Sequence, residues 1–286
     1  MKKFIDDIRK EEPKTKLLKF EDIVKNEEIE REFDEEFGED PYQTMTGMSF
    51  PEMAEETNLS FAMHMGIMLT MTQLMSVILE HETMRDFAAL INKTYKKYCE
   101  QKSVSPSFIS CWALYDARIK ESEGTFADLL IALKDDFSLE AEIVQLIKLT
   151  SPSYPMVYQY LGSENSVVRL RDVMTDQLYD VYHENYKGNI GEIWYTRLLP
   201  PLNDQDPYVM LSFPYVTRNH EEADWLNYFK LQGITKTDKY VKIKLENHMK
   251  YGPTIHFWKD YVSESFEAEI PHQCILLNSL PKVKKK

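Results

Sequence analysis

Glycine is scarce, at 9 residues in 286. That disfavours Gly-rich nucleotide-binding architectures, and neither a GxxxxGKS/T loop nor a GxGxxG fingerprint occurs. Cysteine is scarcer still. Cys99, Cys111 and Cys274 are odd in number, far apart and free of any CxxC pairing. Structural zinc and thioredoxin-like chemistry therefore lack their signatures, and buried free thiols in a reducing compartment are the expectation. Positive charge is in deficit: 34 Lys and Arg stand against 47 Asp and Glu, a net of −13. That balance disfavours a general nucleic-acid or anionic-membrane surface. Nucleophile motifs are missing too, with no GxSxG and no cysteine in a protease context. His81-Glu82 continues as Thr-Met-Arg, so HExxH fails at its second histidine. The opening MKKFIDDIRKEEPK has no apolar run behind its lysines, so no secretory signal is expected.

What is present is an ordinary globular composition, 43% hydrophobic and 28% charged, in a length that suits one large domain or two small ones. Charge is uneven along it. Residues 1–150 hold 18 basic and 30 acidic side chains, a net of −12, and the remainder is close to neutral at −1. Most of the excess lies in 21–40, where 11 acids face only Lys25 and Arg31. The same stretch keeps Phe20, Ile23, Val24, Ile29, Phe33 and Phe37 in an imperfect helical stripe, with Gly38 and Pro41 as stops. A purely solvating arm would have few aromatics. The segment is expected either to pack its apolar side on its own helices or to dock on a basic protein partner.

Asn58 is a candidate cap for a long helix whose segment LSFAMHMGIMLTMTQLMSVIL runs 21 residues without a formal charge. It is long enough to cross a bilayer. His64 and Gln73 are costly in lipid, and polar residues gather on one side, so a buried helix is expected and no membrane association. Further helices are predicted at about 82–100, 107–120, 125–134 and 138–149, giving an N-terminal α-helical bundle over 1–150. The pattern changes at Ser151-Pro152-Ser153-Tyr154-Pro155. Beyond it VVRLRDV, QLYDVYHE, EIWYTRLLP and YVMLSFPYV are short, aromatic and β-branched, which predicts an antiparallel β-meander in a second part, 151–286. Helices over 221–231 and 254–267 would cover it, CILLNSL would close it as a strand, and KVKKK would form a basic tail. The fold class is therefore α+β.

The stretch VVRLRDVMTDQLYDVYHENYKGNIGEIWYTRLLPP, residues 167–201, combines Arg169-Leu-Arg-Asp172, a short turn, Gly191-Glu192 and Arg197-Leu-Leu-Pro200. In that cadence it resembles the β-rich segment of bacterial proteins of the SEC-C-associated type. The zinc-binding ending of those proteins is missing, since this chain finishes PKVKKK. The resemblance implies a bacterial-type protein, with no metal function and no catalytic residues to carry over.

Nine of the 14 methionines fall between Met45 and Met84. His64, Met68, Met71 and Met75 share one narrow helical face, a donor set that suits Cu(I) or haem iron in principle. The same spacing is an ordinary core stripe, and thioethers fill irregular core gaps, so no metal and no cofactor is expected. His220-Glu221-Glu222 reads as a helix start, and Gly188 with Gly191 as a turn before a strand rather than a phosphate cradle. Ile255, Trp258, Tyr261 and Val262 share a helical face that suits core packing better than base stacking, because no basic groove accompanies it. A non-catalytic protein-interaction module is the leading expectation. The alternatives are a hydrolase-like enzyme assembled from scattered residues such as His183, Glu184, Glu192, Tyr195 and Arg197, and a membrane-associated protein using the 59–79 segment.

Overall fold

The computed structural model describes residues 5, 59–99, 104–120, 124–183, 188–203, 205–271 and 273–283. The predicted helix over 20–37, the acidic segment 21–40 and Asn58 lie outside the described residues. The chain divides into two compact units, one formed by Met1–Tyr95 with Ile109–Pro152 and the other by Lys96–Phe108 with Ser153–Lys286.

The described part of the first unit is helical. Helix α1 (Leu59–Leu79) buries Met65, Ile67, Met68, Met71, Met75 and Ile78, the stripe expected of a core helix. Thr70 folds its hydroxyl back onto the Gly66 carbonyl at 2.9 Å, which lets a polar residue sit buried in that helix. A short 3-10 turn at Glu82–Met84 leads into α2 (Arg85–Tyr98), and α3 (Pro106–Tyr115) follows. Helix α4 (Phe126–Ala132) starts on a capping box. The Thr125 hydroxyl accepts from the Asp128 amide, and the Asp128 carboxylate accepts from the Thr125 amide at 2.9 Å. Helix α5 (Ala141–Thr150) begins after Glu140; Ser138, the expected start, has a positive φ of 46° and lies in the preceding turn.

The second unit is built on one eight-stranded sheet, so the fold is α+β. Its strands are β1 (Pro155–Glu164), β2 (Val167–Asp172), β3 (Leu178–Tyr182), β4 (Ile193–Arg197), β5 (Tyr208–Val209), β6 (Tyr215–Thr217), β7 (Phe266–Ile270) and β8 (Cys274–Leu277), in the order β5-β3-β2-β1-β4-β6-β8-β7. This corrects the simple antiparallel meander. Strands β1 to β3 do run as one, through a two-residue turn at Asn165-Ser166, where both φ are positive. Strand β4 then leaves β3 and pairs with the free edge of β1. Two pairings, β3 with β5 and β6 with β8, are parallel. Parallel neighbours need a long crossover, and β6 reaches β8 only through α6 (Glu222–Leu231), α7 (Val241–Tyr251), α8 (Phe257–Ser265) and β7.

Register sorts the side chains onto two faces. Tyr158, Tyr160, Leu170, Asp172, Tyr179 and Trp194 share one. Val157, Ile193, Tyr195, Tyr215 and Arg171 share the other. The second face meets the helices: Tyr195 stacks on Trp258 of α8 at 5.1 Å, and Arg171 reaches Glu222 of α6. Trp194, Tyr195, Tyr215, Trp225 and Phe229 are completely buried. Burial of each such side chain is worth about 1.5–3 kcal/mol, so the unit is held by its aromatics.

Candidate functional site

The described residues of the second unit include four clusters of bonded polar side chains. The first lies inside the aromatic layer. The His248 Nε2 and the Tyr228 hydroxyl are 2.8 Å apart, and the His248 carbonyl accepts from the Trp258 indole N–H at 2.8 Å. Rings of Phe229, Phe257 and Trp258 surround the imidazole, with centroids 5.5–6.4 Å away. Burial there disfavours charge and drops the imidazole to about 4, while it raises the Tyr228 phenol. At neutral pH the pair is an uncharged hydrogen bond.

The second cluster ties the end of α2 to α8. The Tyr98 hydroxyl donates to Asp260 Oδ1 at 2.5 Å and accepts from Lys97 Nζ at 2.8 Å; Lys97 also donates to Asp260 at 2.7 Å. The Tyr98 ring is buried beside His256, with centroids 6.3 Å apart, while Lys97 and Asp260 reach solvent. Burial, then the bond to Asp260, pushes the phenol up to about 12. Burial also pushes the Asp260 carboxyl up, but the bonds from Lys97 and Tyr98 outweigh it and hold it below the usual range. A phenol and a carboxylate tuned in these directions keep their protons where they are near neutrality. Next to Asp260, Lys259 is buried and donates to the Ile255 carbonyl at 2.8 Å.

The third cluster is ionic. Arg171 donates to Glu222 at 2.5 Å, to Asp176 at 2.6 Å and to Gln159 at 2.7 Å, and Lys236 joins Asp176 at 2.8 Å. It fastens the β2–β3 turn to the start of α6. The fourth centres on Asp172, whose carboxylate accepts the Met174 and Thr175 amides at 2.7 and 2.9 Å and so builds that turn. Burial lifts its titration, and with it the phenols of Tyr154, Tyr158 and Tyr179 nearby.

The residues proposed from sequence for a hydrolytic site do not converge. Tyr195 packs on Trp258 on the helix-covered face, whereas His183 lies edge-on to Trp194, which points to the opposite face. Arg197 is buried and donates to the Ser153 carbonyl at 2.7 Å. Glu192 is half-buried and accepts from Asn189 in the turn formed by Gly188 and Gly191. Glu184 lies outside the described residues. His64, Met68, Met71 and Met75 are all buried in the first unit, and Met71 accepts a 3.6 Å contact from the Tyr115 hydroxyl. Glu82, beside His81, pairs with Arg85 on the surface. Glu221 caps α6 through a reciprocal bond pattern with Asp224. Cys111 and Cys274 are buried, and Cys99 is half-buried with its thiol raised to about 12 by desolvation. Among the described residues no group of three His, Cys, Asp or Glu side chains is placed to hold a metal ion. No family model, curated protein or solved structure matches the chain.

Sequence reading misses Lys97, Tyr98, Asp260, His248 and Tyr228. None stands in a motif, and Tyr98 and Asp260 are 162 residues apart.

Proposed function

We propose that this chain is a soluble, cytoplasmic, non-catalytic protein-interaction module, with its N-terminal helices forming a bundle and its 167–201 stretch kin to the SEC-C-associated type. One observation carries the reading. Among the described residues of the second unit, the shifted histidines, tyrosines, lysine and arginines, and the shifted carboxylates other than Asp172, are moved away from neutrality. Active sites use the opposite arrangement, in which burial and neighbours bring an acid or base close to the working pH. Asp172 does move toward neutrality, but its oxygen is engaged by two backbone amides of its own turn.

The test sets turnover against association. Purified protein is incubated with a small-molecule cell extract and followed by mass spectrometry, and in parallel is used to capture proteins at low salt. A stoichiometric protein partner with no change in the extract is the expected result. Turnover of a metabolite that is lost on Tyr98→Phe or His248→Gln would sink the reading.

A further inference from the structure

Residues 230–250 run against the charge of the rest of the chain. They carry Lys230, Lys236, Lys239, Lys242, Lys244 and Lys250 against Asp238 and Glu246, a local excess of four positive charges in a molecule of net −13. The structure places them at the end of α6, in the α6–α7 connection and on α7. Lys236 is used internally by Asp176 and Glu222, and Lys244 by Asp238 and the Gly233 carbonyl. Lys239 and Lys242 are exposed. Lys239 lies over the Tyr240 ring at 5.6 Å.

The same stretch exposes large apolar side chains. Leu231 is 60% exposed, Tyr240 56% and Ile243 59%. Helix α7 turns Leu245 and Met249 inward, so the side bearing Ile243 is left outside. Tyr240 stands at the N-cap of α7 and Ile243 in its first turn, so both exposed side chains belong to the same end of the helix. An aromatic and a β-branched side chain flanked by lysines make an anchor with a charged rim.

We infer that α7 and the residues leading into it dock an acidic amphipathic helix from a protein partner, a step that rests on the interaction reading above. Charge complementarity selects the acid, and Tyr240 with Ile243 selects a partner that brings an apolar side. An extended polyanion is disfavoured, because the net charge of the chain repels it at long range while a short segment meets only the local field. Helix α7 is 11 residues long, about 16 Å at 1.5 Å per residue, so it offers about three turns to such a segment.

The experiment titrates the full chain with three probes: a glutamate-rich peptide with leucines at helical spacing, the same peptide with serine in place of leucine, and a DNA duplex of equal charge. Binding is read by fluorescence anisotropy at low and high salt. The leucine peptide is expected to bind and to weaken about tenfold on Tyr240→Ala with Ile243→Ala. It should also lose most of its salt dependence on Lys239→Glu with Lys242→Glu. Both pairs are exposed, and circular dichroism checks that each variant stays folded. Equal binding of the serine peptide or the DNA, or equal binding by the Tyr240/Ile243 variant, overturns the inference. So does a photo-crosslinker at position 240 that captures a partner whose contacting segment is basic; that outcome leaves the interaction reading standing and removes only this surface chemistry.

Discussion

His248 and His183 are each held near 4 by desolvation, against an ordinary 6.5, and for His183 a backbone bond at Gln273 opposes the shift. In the unfolded chain both would take up protons as pH falls through 6.5, whereas the folded chain resists until about 4. The stability they support is therefore fully present above pH 6.5 and drains away between 6.5 and 4. Each contributes on the order of 2–3 kcal/mol across that window. His248→Gln keeps a polar partner for Tyr228 and cannot ionise, so denaturant melts of this variant should show a flatter profile between pH 6.5 and 4 than the parent. An unchanged slope would mean that the imidazole is not desolvated. Tyr98→Phe tests a second hydrogen-bonded tyrosine hydroxyl. It leaves Lys97 to serve Asp260 alone and is expected to cost about 1–2 kcal/mol in urea unfolding, with little dependence on pH between 6 and 9.

At the scale of elements, the parts that sequence makes visible are those whose burial repeats locally. Helix α1 shows its stripe, Glu221 its capping position and the β2–β3 turn its Thr175-Asp176. Strand β1 was hidden, because its Pro155 read as part of a boundary and its Gly162, at a positive φ of 136°, breaks the alternation at a bulge. Helix α7 goes unpredicted for a different reason. Val241, Ile243 and Leu245 alternate with charge as a strand would, yet the fold uses Leu245 and Met249 as the buried pair and leaves Ile243 outside. Strand β7 (Phe266–Ile270) begins within the helix predicted over 254–267, and its last three residues go unassigned, because the pairing that makes it a strand is to β8, across a turn. The Lys97–Tyr98–Asp260 cluster was illegible because only the crossover from β6 to β8 brings α8 back to the end of α2. One backbone detail secures that return. Gly252 ends α7 at φ 60° and ψ −173°, and a Cβ there would stand 2.8 Å from the Cβ of Phe257 in α8. Gly252→Ala meets both the positive φ and the clash, and should cost about 2–3 kcal/mol. Thermal unfolding measures it, and a loss below about 0.5 kcal/mol would show that the two helices have room to part.

For the molecule as a whole, the distribution of charge poses the remaining question. The excess acid is concentrated in 21–40, which carries a net of −9 together with Phe20, Ile23, Val24, Ile29, Phe33 and Phe37 at its edge and within it. Packing of those side chains against the chain's own core would make the segment part of the stability of the protein, at about 1.5–3 kcal/mol for each large side chain buried. An arm for a basic partner would instead add little to stability and much to the rate of association at low salt, since acidic charge speeds approach. Removal of residues 1–40 separates the two. On the interaction reading, the truncated chain keeps its unfolding free energy to within about 1 kcal/mol, and its capture of the partner found at low salt falls about tenfold or more. Restoring the charge alone, with the six apolar residues changed to serine in the full chain, should recover the association rate but not the lifetime of the complex, because apolar anchoring acts on dissociation. A truncated chain that loses several kcal/mol assigns the segment to the core, and the docking role then fails.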